Sequence, residues 1–147
     1  MYLLDTNIIS ELRKRDRANP GITRFFRQIT EQESISYLSV ITIGELRRGV
    51  DIIQHRGDFA QAQSLEAWLE TILDRYAENI LDFGQEEAQI WGRLRVPHPE
   101  NALDKQIAAT ALVYDLTLVT RNVKDFAATG VTLLNPFESS IIAQLDY

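Results

Sequence analysis

Tyr2-Leu3-Leu4-Asp5-Thr6-Asn7-Ile8-Ile9 changes its period at the centre, and that change decides how the whole chain is read. Tyr2–Leu4 is a short apolar run of the kind a strand shows. Asp5-Thr6-Asn7 supplies turn chemistry, and Ile8, Ile9 and Leu12 follow at helical spacing. The segment therefore reads as a strand, a tight turn and a helix, with a carboxylate at the strand's end.

The same alternation recurs along the chain. Asn19-Pro20-Gly21 opens a helix through Phe25, Phe26 and Ile29, and Ser34–Leu38 alternates as a strand. Ser39 is placed to cap a helix through Ile43, Leu46, Val50 and Ile53. A long amphipathic helix is expected over Phe59–Tyr76, a strand over Ile80–Phe83 closed by Gly84, and a helix through Ile90, Trp91 and Leu94. After the Pro97-His98-Pro99 loop, Asn101 is expected to cap a helix over Ala102–Tyr114. A strand at Thr117–Thr120, a short helix around Asp125–Ala128 and a strand at Val131–Leu134 complete the pattern. Strands alternating with helices predict an α/β fold, with a parallel sheet covered by helices on both faces. The ligand site of such a sheet lies outside the carboxyl ends of its strands.

A chain of 147 residues, 45% apolar and 24% charged, fits one soluble globular domain spanning 1–147. No apolar run approaches the ~20 residues of a membrane span. The first residues lack the basic and apolar regions of a signal peptide, so a cytoplasmic protein without a membrane partner is expected. The absence of cysteine excludes disulfides and thiolate metal sites, and two histidines are too few for a typical structural zinc site. Chemistry here has to lean on carboxylates.

The net charge of -6 argues against a general nucleic-acid coat. The charge is uneven, however: residues 1–56 carry nine Lys/Arg against seven Asp/Glu, and the remainder six against fourteen. The early excess sits in Arg13, Lys14, Arg15, Arg17, Arg24 and Arg27.

A parallel sheet gathers several acids. Asp5 ends the first strand, Glu45 lies about two turns inside the helix after the second, and Asp104 is in the first turn of the helix before the fourth. Asn122 and Asp125 follow the fourth strand's end. Each has a plain structural reading. Asp5 can cap its helix, Glu45 can pair with Arg48, and Asp104 and Asp125 can be the far members of capping boxes begun by Asn101 and Asn122. Their convergence on one sheet edge favours a joint role. Clustered carboxylates repel one another unless protons or a cation intervene. An all-oxygen donor set points to Mg²⁺ or Mn²⁺, ions that activate water and stabilise charge on a phosphoryl group.

Four stretches carry a family likeness: Leu3-Leu4-Asp5-Thr6-Asn7, Ile43-Gly44-Glu45-Leu46-Arg47-Arg48-Gly49, Asp104 with Ile107-Ala108-Ala109-Thr110-Ala111, and Leu118-Val119-Thr120-Arg121-Asn122. In order and spacing the chain resembles PIN-domain ribonucleases, and among them the VapC-type toxins of toxin–antitoxin pairs, especially the FitB-like branch. The resemblance runs end to end and includes Leu134-Asn135-Pro136-Phe137. It implies a three-layer α/β/α fold, Mg²⁺- or Mn²⁺-dependent RNA cleavage, a homodimer, and a cognate antitoxin whose peptide blocks the active site. Asp5, Glu45 and Asp104 match the family's three principal acids. Thr6 and Thr120 match positions that support the metal site. The family's fourth acid falls at Asn122, a departure that leaves Asp125, one helical turn on, as the other occupant of that metal position. The acidic net charge fits a nuclease that reaches RNA through a local basic rim, with Arg47, Arg48, Lys105, Arg121 and the Arg13–Arg17 cluster as candidates, each of which also reads as a plain surface charge. The apolar bulk of the helices carrying Trp68 and Trp91 is the expected source of a two-fold interface.

Rival readings differ at named positions. A dehalogenase-type phosphohydrolase resembles Asp-x-Asp at its first strand, where this chain has Asn7. A receiver domain wants a phospho-acceptor on its third strand, and Asp82 there lacks partners in sequence. A PIN-like domain that binds RNA or a partner with little catalysis would be consistent with Asn122.

Overall fold

The computed structural model describes residues 1–137; residues 138–147, the tail of the expected single domain, lie outside it. The strands are β1 (Tyr2–Leu4), β2 (Ser36–Ser39), β3 (Ile80–Leu81), β4 (Thr117–Val119) and β5 (Leu133–Leu134). The helices are α1 (Thr6–Leu12), α2 (Pro20–Glu31), α3 (Val40–His55), α4 (Phe59–Arg75), α5 (Gln85–Leu94), α6 (Ala102–Val113) and α7 (Val123–Phe126). A 3₁₀ turn at Arg15–Arg17, absent from the sequence reading, joins α1 to α2.

All strand pairs are parallel, in the order β3–β2–β1–β4–β5. The chain steps from β1 to β2 to β3 in one direction, then crosses back to β4 on the other side of β1. Right-handed crossovers made in opposite directions place their helices on opposite faces. Strand parity shows the result. Leu4, Leu38 and Val119 pack in one core with Ile8, Ile22, Phe25, Leu46 and Leu69, from α1 to α4. Leu3 and Leu118 pack in a second core with Ile107, Ala108, Ala111 and Phe126, from α6 and α7. Each core is closed by completely buried side chains, so truncating Leu4 or Leu118 to alanine costs about 2–5 kcal/mol. This is the three-layer α/β/α fold the sequence predicts.

The direction reverses between β1 and β4. Neighbouring loops leave that point on opposite sides of the sheet, which opens a crevice at the carboxyl ends of these two strands. Continuing the strand parity, Asp5 and Thr120 fall on the side of Leu3 and Leu118, which α6 covers. A helix that leads into β4 begins at the sheet's carboxyl edge, so the first turn of α6 brings Asp104 to the crevice.

Several local expectations are revised. Asn101 adopts a left-handed backbone (φ 58°) and its side chain caps nothing; Asn tolerates that region because its short polar side chain fits there. The Asn101–Asp104 capping box is therefore absent. Asn122 makes no side-chain cap either, and α7 starts at Val123, where the Asn122 carbonyl accepts the Asp125 N–H (3.0 Å). β3 stops at Leu81, and Phe83 packs edge-on against Trp91 (6.2 Å). Neither tryptophan is a bare apolar surface. Trp68 lies under the Arg13 guanidinium, and Trp91 donates its indole N–H to the Ala102 carbonyl (2.9 Å) beneath Arg95. No described helix is long and apolar enough to cross a membrane.

Candidate active site

Asp5 caps α1 and anchors the site at once. Its backbone is extended (φ -72°, ψ 160°), and its Oδ1 accepts the Thr6 N–H at 2.8 Å. Its Oδ2 accepts the Thr120 hydroxyl at 2.8 Å and the Asn7 amide at 3.2 Å. Thr120, wholly buried, in turn accepts the Asn122 N–H (3.0 Å) and faces the Asn7 amide (3.4 Å). Asn7 completes the link by accepting the Arg121 N–H on its Oδ1 (3.1 Å). The turn after β1 and the turn after β4 are thus stitched together through one carboxylate, one hydroxyl and one amide. Burial pushes the Asp5 carboxyl above its ordinary range; the bonds from Thr120, Thr6 and Asn7 oppose the rise, and the Glu45 charge adds to it.

Asp5, Asn7, Ser10, Glu45, Asp104 and Asn122 line one open cleft of about 380 Å³. Asp104 is half-buried and its carboxyl is pushed up to about 6, first by burial, then by the charges of Asp5, Asp125 and Glu45. Three acids thus act electrostatically on Asp104, and one of them, Glu45, acts on Asp5 as well. Among the described residues, no three of these acids converge closely enough to chelate a common ion as they stand. The donor set nevertheless fits a hard divalent cation: it is all oxygen, it carries excess negative charge, and Asp104 is destabilised by the other acids.

The other sequence candidates divide. Thr6 contributes its backbone N–H to Asp5, while its hydroxyl meets that of buried Thr42 (3.5 Å). Glu45 forms no ion pair among the described residues, so the expected Arg48 pairing is absent, although both side chains line the same shallow pocket beside Leu103. Asn122 faces the cleft; exposed Asp125 reaches it through its charge on Asp104. Two rim candidates are engaged elsewhere. Arg47 makes a bidentate pair with Glu66 (2.7 and 2.8 Å), and Lys105 is buried with its ammonium on the His98 carbonyl. Asn7 and Ser10 are site residues the sequence reading missed. Their signal was spacing: Asn7 lies two residues beyond Asp5, and Ser10 lies one helical turn beyond Thr6.

Comparison with known proteins places the sequence and the fold in one family. The PIN-domain family model, described as "PIN domain", matches residues 2–131. Toxin FitB of Neisseria gonorrhoeae is 35% identical over 143 residues, covering 93% of this chain and 99% of its own length. VapC ribonuclease Y4jK of Sinorhizobium fredii is 30% identical over 146 residues, covering 94% and 99%. The crystal structure of FitAcB from Neisseria gonorrhoeae superposes with a TM-score of 0.79 at 35% identity, over 93% of this chain and 99% of that one. VapBC2 from Rickettsia felis, solved bound to a DNA fragment from its promoter, gives 0.70 at 26% identity, over 91% and 97%. The family model, the relatives and the fold agree, and the chain belongs to the PIN-domain family, among proteins of the VapC toxin type.

Proposed function

We propose that this protein is a metal-dependent endoribonuclease, the toxin of a type II toxin–antitoxin pair. The observation that carries the reading is the gathering of Asp5, Glu45, Asp104 and Asn122 in one cleft at the switch point of the sheet. Asp5, Glu45 and Asp104 would hold Mg²⁺ or Mn²⁺, with Asn122 or Asp125 in the fourth position and Thr6 and Thr120 in support. The bound ion would supply Lewis acidity and a nucleophilic water at neutral pH.

The protein's own part is positioning. Three hydrogen bonds fix the orientation of the Asp5 carboxylate. Leu103 and Ile107 wall the cleft beside Asp104 and limit the water around the acids. The cleft is open on one side, as access for an RNA phosphodiester requires. The mutual repulsion that raises the Asp104 carboxyl to about 6 without metal is what a bound cation would relieve, so Asp104 is suited to serve as a ligand.

The relatives' names support an antitoxin partner. A groove runs from the cleft past Ser10 and Arg13 to Trp68, and a partner segment lying there would bring a cationic side chain to the acids. A homodimer and a cytoplasmic setting complete the proposal. Purified protein should cleave single-stranded RNA with Mn²⁺, and EDTA should abolish the cleavage. RNA binding without cleavage at any Mn²⁺ concentration would favour the binding-only reading.

A further inference from the structure

Arg121 sits in the chain between two residues of the site yet pairs with none of its carboxylates; the carboxylate its charge reaches is buried Glu11, which already holds Lys14. Among the described residues Arg121 takes part in no ion pair, although Thr120 before it and Asn122 after it both belong to the site. An exposed arginine near clustered acids ordinarily gains by closing on one of them bidentately. Here two bonds fix the Arg121 backbone and one ring contact holds its side chain. Its N–H is given to Asn7, its carbonyl accepts the Asn135 amide (3.4 Å), and its guanidinium lies 4.7 Å from the centre of the Phe137 ring.

Phe137 is itself held in place. Its N–H goes to the Asn135 side chain (3.0 Å), and it packs against the larger core. Pro136 between them passes so close to α2 that a Cβ at Gly21 would sit 1.9 Å from its carbonyl oxygen. Asn135-Pro136-Phe137 therefore forms a fixed strap, and the guanidinium rests on it with donors to spare. Among the other candidate cations, Arg47 and Lys105 have partners, and Arg13 lies over Trp68 at the far end of the groove. Arg48 shares the lack of an ion pair among the described residues, but it lines the pocket of Glu45 and Leu103 and no described aromatic ring holds it there.

We propose that Arg121, held off the acids by Phe137, is the residue that receives a backbone phosphate of the RNA strand next to the one being cleaved. The proposal rests on the ribonuclease reading and deepens it. A polyanionic strand entering a cleft of carboxylates needs a cation at the rim that those carboxylates do not neutralise. A planar guanidinium with free donors suits a phosphate.

The test is the salt dependence of RNA binding. Asp104→Asn protein, with cleavage removed, is titrated with a labelled single-stranded RNA oligonucleotide of mixed sequence at several salt concentrations. Adding Arg121→Gln should make the plot of log affinity against log salt shallower by about 0.7, the loss of one phosphate contact to a single strand. Adding Phe137→Leu, which keeps the charge but frees it, should preserve the slope and weaken binding about threefold through lost preorganisation. Arg56→Gln, an exposed cation at the far end of α3, should change neither. A wild-type slope in the Arg121→Gln protein, with RNA still bound and the parent enzyme still cutting, overturns this assignment and leaves the ribonuclease reading standing. A parent protein that neither binds nor cuts RNA overturns both.

Discussion

The edge of the sheet and the ends of the helices contribute acids to the same cleft by opposite means. Asp5, at the end of β1, receives hydrogen bonds from Thr6, Thr120 and Asn7. Asp104, in the first turn of α6, receives none among the described residues and feels burial and three other carboxylates. The strand-end acid is locked by a network that spans two crossovers. The helix-borne acids are placed only by where their helices begin, so Glu45 and Asp104 are free to adjust to a cation while Asp5 is its fixed reference point. This contrast can be broken or sharpened by substitution.

The largest effect should fall on cleavage. Asp5→Asn, Glu45→Gln and Asp104→Asn should each lower the rate at least ~100-fold, since a Lewis-acid site contributes several kcal/mol to the transition state. All three proteins should remain folded by circular dichroism. Near-wild-type rates in any of the three would remove that residue from the catalytic set.

Next in size is the network around Asp5. Thr120→Val keeps the shape and removes a hydroxyl that gives one bond and accepts others, leaving polar groups of Asp5 and Asn122 short of partners. Its cost should be about 1–3 kcal/mol in urea unfolding, the penalty for unsatisfied buried groups. No comparable loss should follow from Asp104→Asn, because no hydrogen bond is removed. Equal losses in the two proteins would erase the contrast between strand and helix acids.

The pH dependence runs from the same asymmetry. The Asp104 carboxyl titrates at about 6 in the folded protein, against an ordinary 3.8. Below about pH 4 folded and unfolded chains both hold that proton, between about 4 and 6 only the folded chain does, and above 6 neither does. This group's contribution to stability is therefore full at low pH and is lost as pH rises through that window. Asp104→Asn should leave metal-free stability unchanged near pH 4 and raise it by about 1 kcal/mol near pH 8, a figure reduced for solvent screening of a half-buried group. Thermal melts at the two pH values, in EDTA, measure the difference. A stabilisation independent of pH would show that charge repulsion is not its source.

The sequence made the strand-borne half of the site easier to read than the helix-borne half. Tyr2–Leu4 and Thr117–Val119 fell where their apolar runs placed them, and the acid and hydroxyl at their ends followed from strand direction alone. The strand order was not legible. Alternation gave parallel pairing, but nothing local says that β4 returns beside β1, and that return is what creates the crevice. The direction of α6, and so the place of Asp104, depended on it. The cations were least legible. Arg47 and Arg121 look alike in sequence, and only tertiary contacts assign one to Glu66 and the other to Phe137. Asn101 followed the sequence signal for a cap, but its left-handed backbone turns the side chain to no such use.

The smallest effect concerns the fourth position of the site. Asn122 lines the cleft, its N–H is fixed by Thr120, and its side chain is committed to no cap. Asp125 is exposed in α7 and reaches the cluster through its charge on Asp104. Asn122→Asp adds a carboxylate where the cleft is open. It should lower the Mn²⁺ concentration for half-maximal cleavage by about threefold to tenfold, as ligand charge tightens hard-ion sites. The same change should lower the metal-free melting point, because a further like charge joins the cluster. Asp125→Asn removes a more distant, screened charge and should raise the metal requirement by no more than about twofold, with a small gain in metal-free stability. The two readouts move in opposite directions for a true cluster member, which separates electrostatic membership from a packing defect, since a defect would lower stability in both variants. An unmoved Asn122→Asp protein beside a strongly shifted Asp125→Asn protein would exchange the roles of the two residues. It would also place the fourth ligand on α7, as helix-borne as Glu45 and Asp104, and leave Asp5 alone as the acid fixed by the sheet.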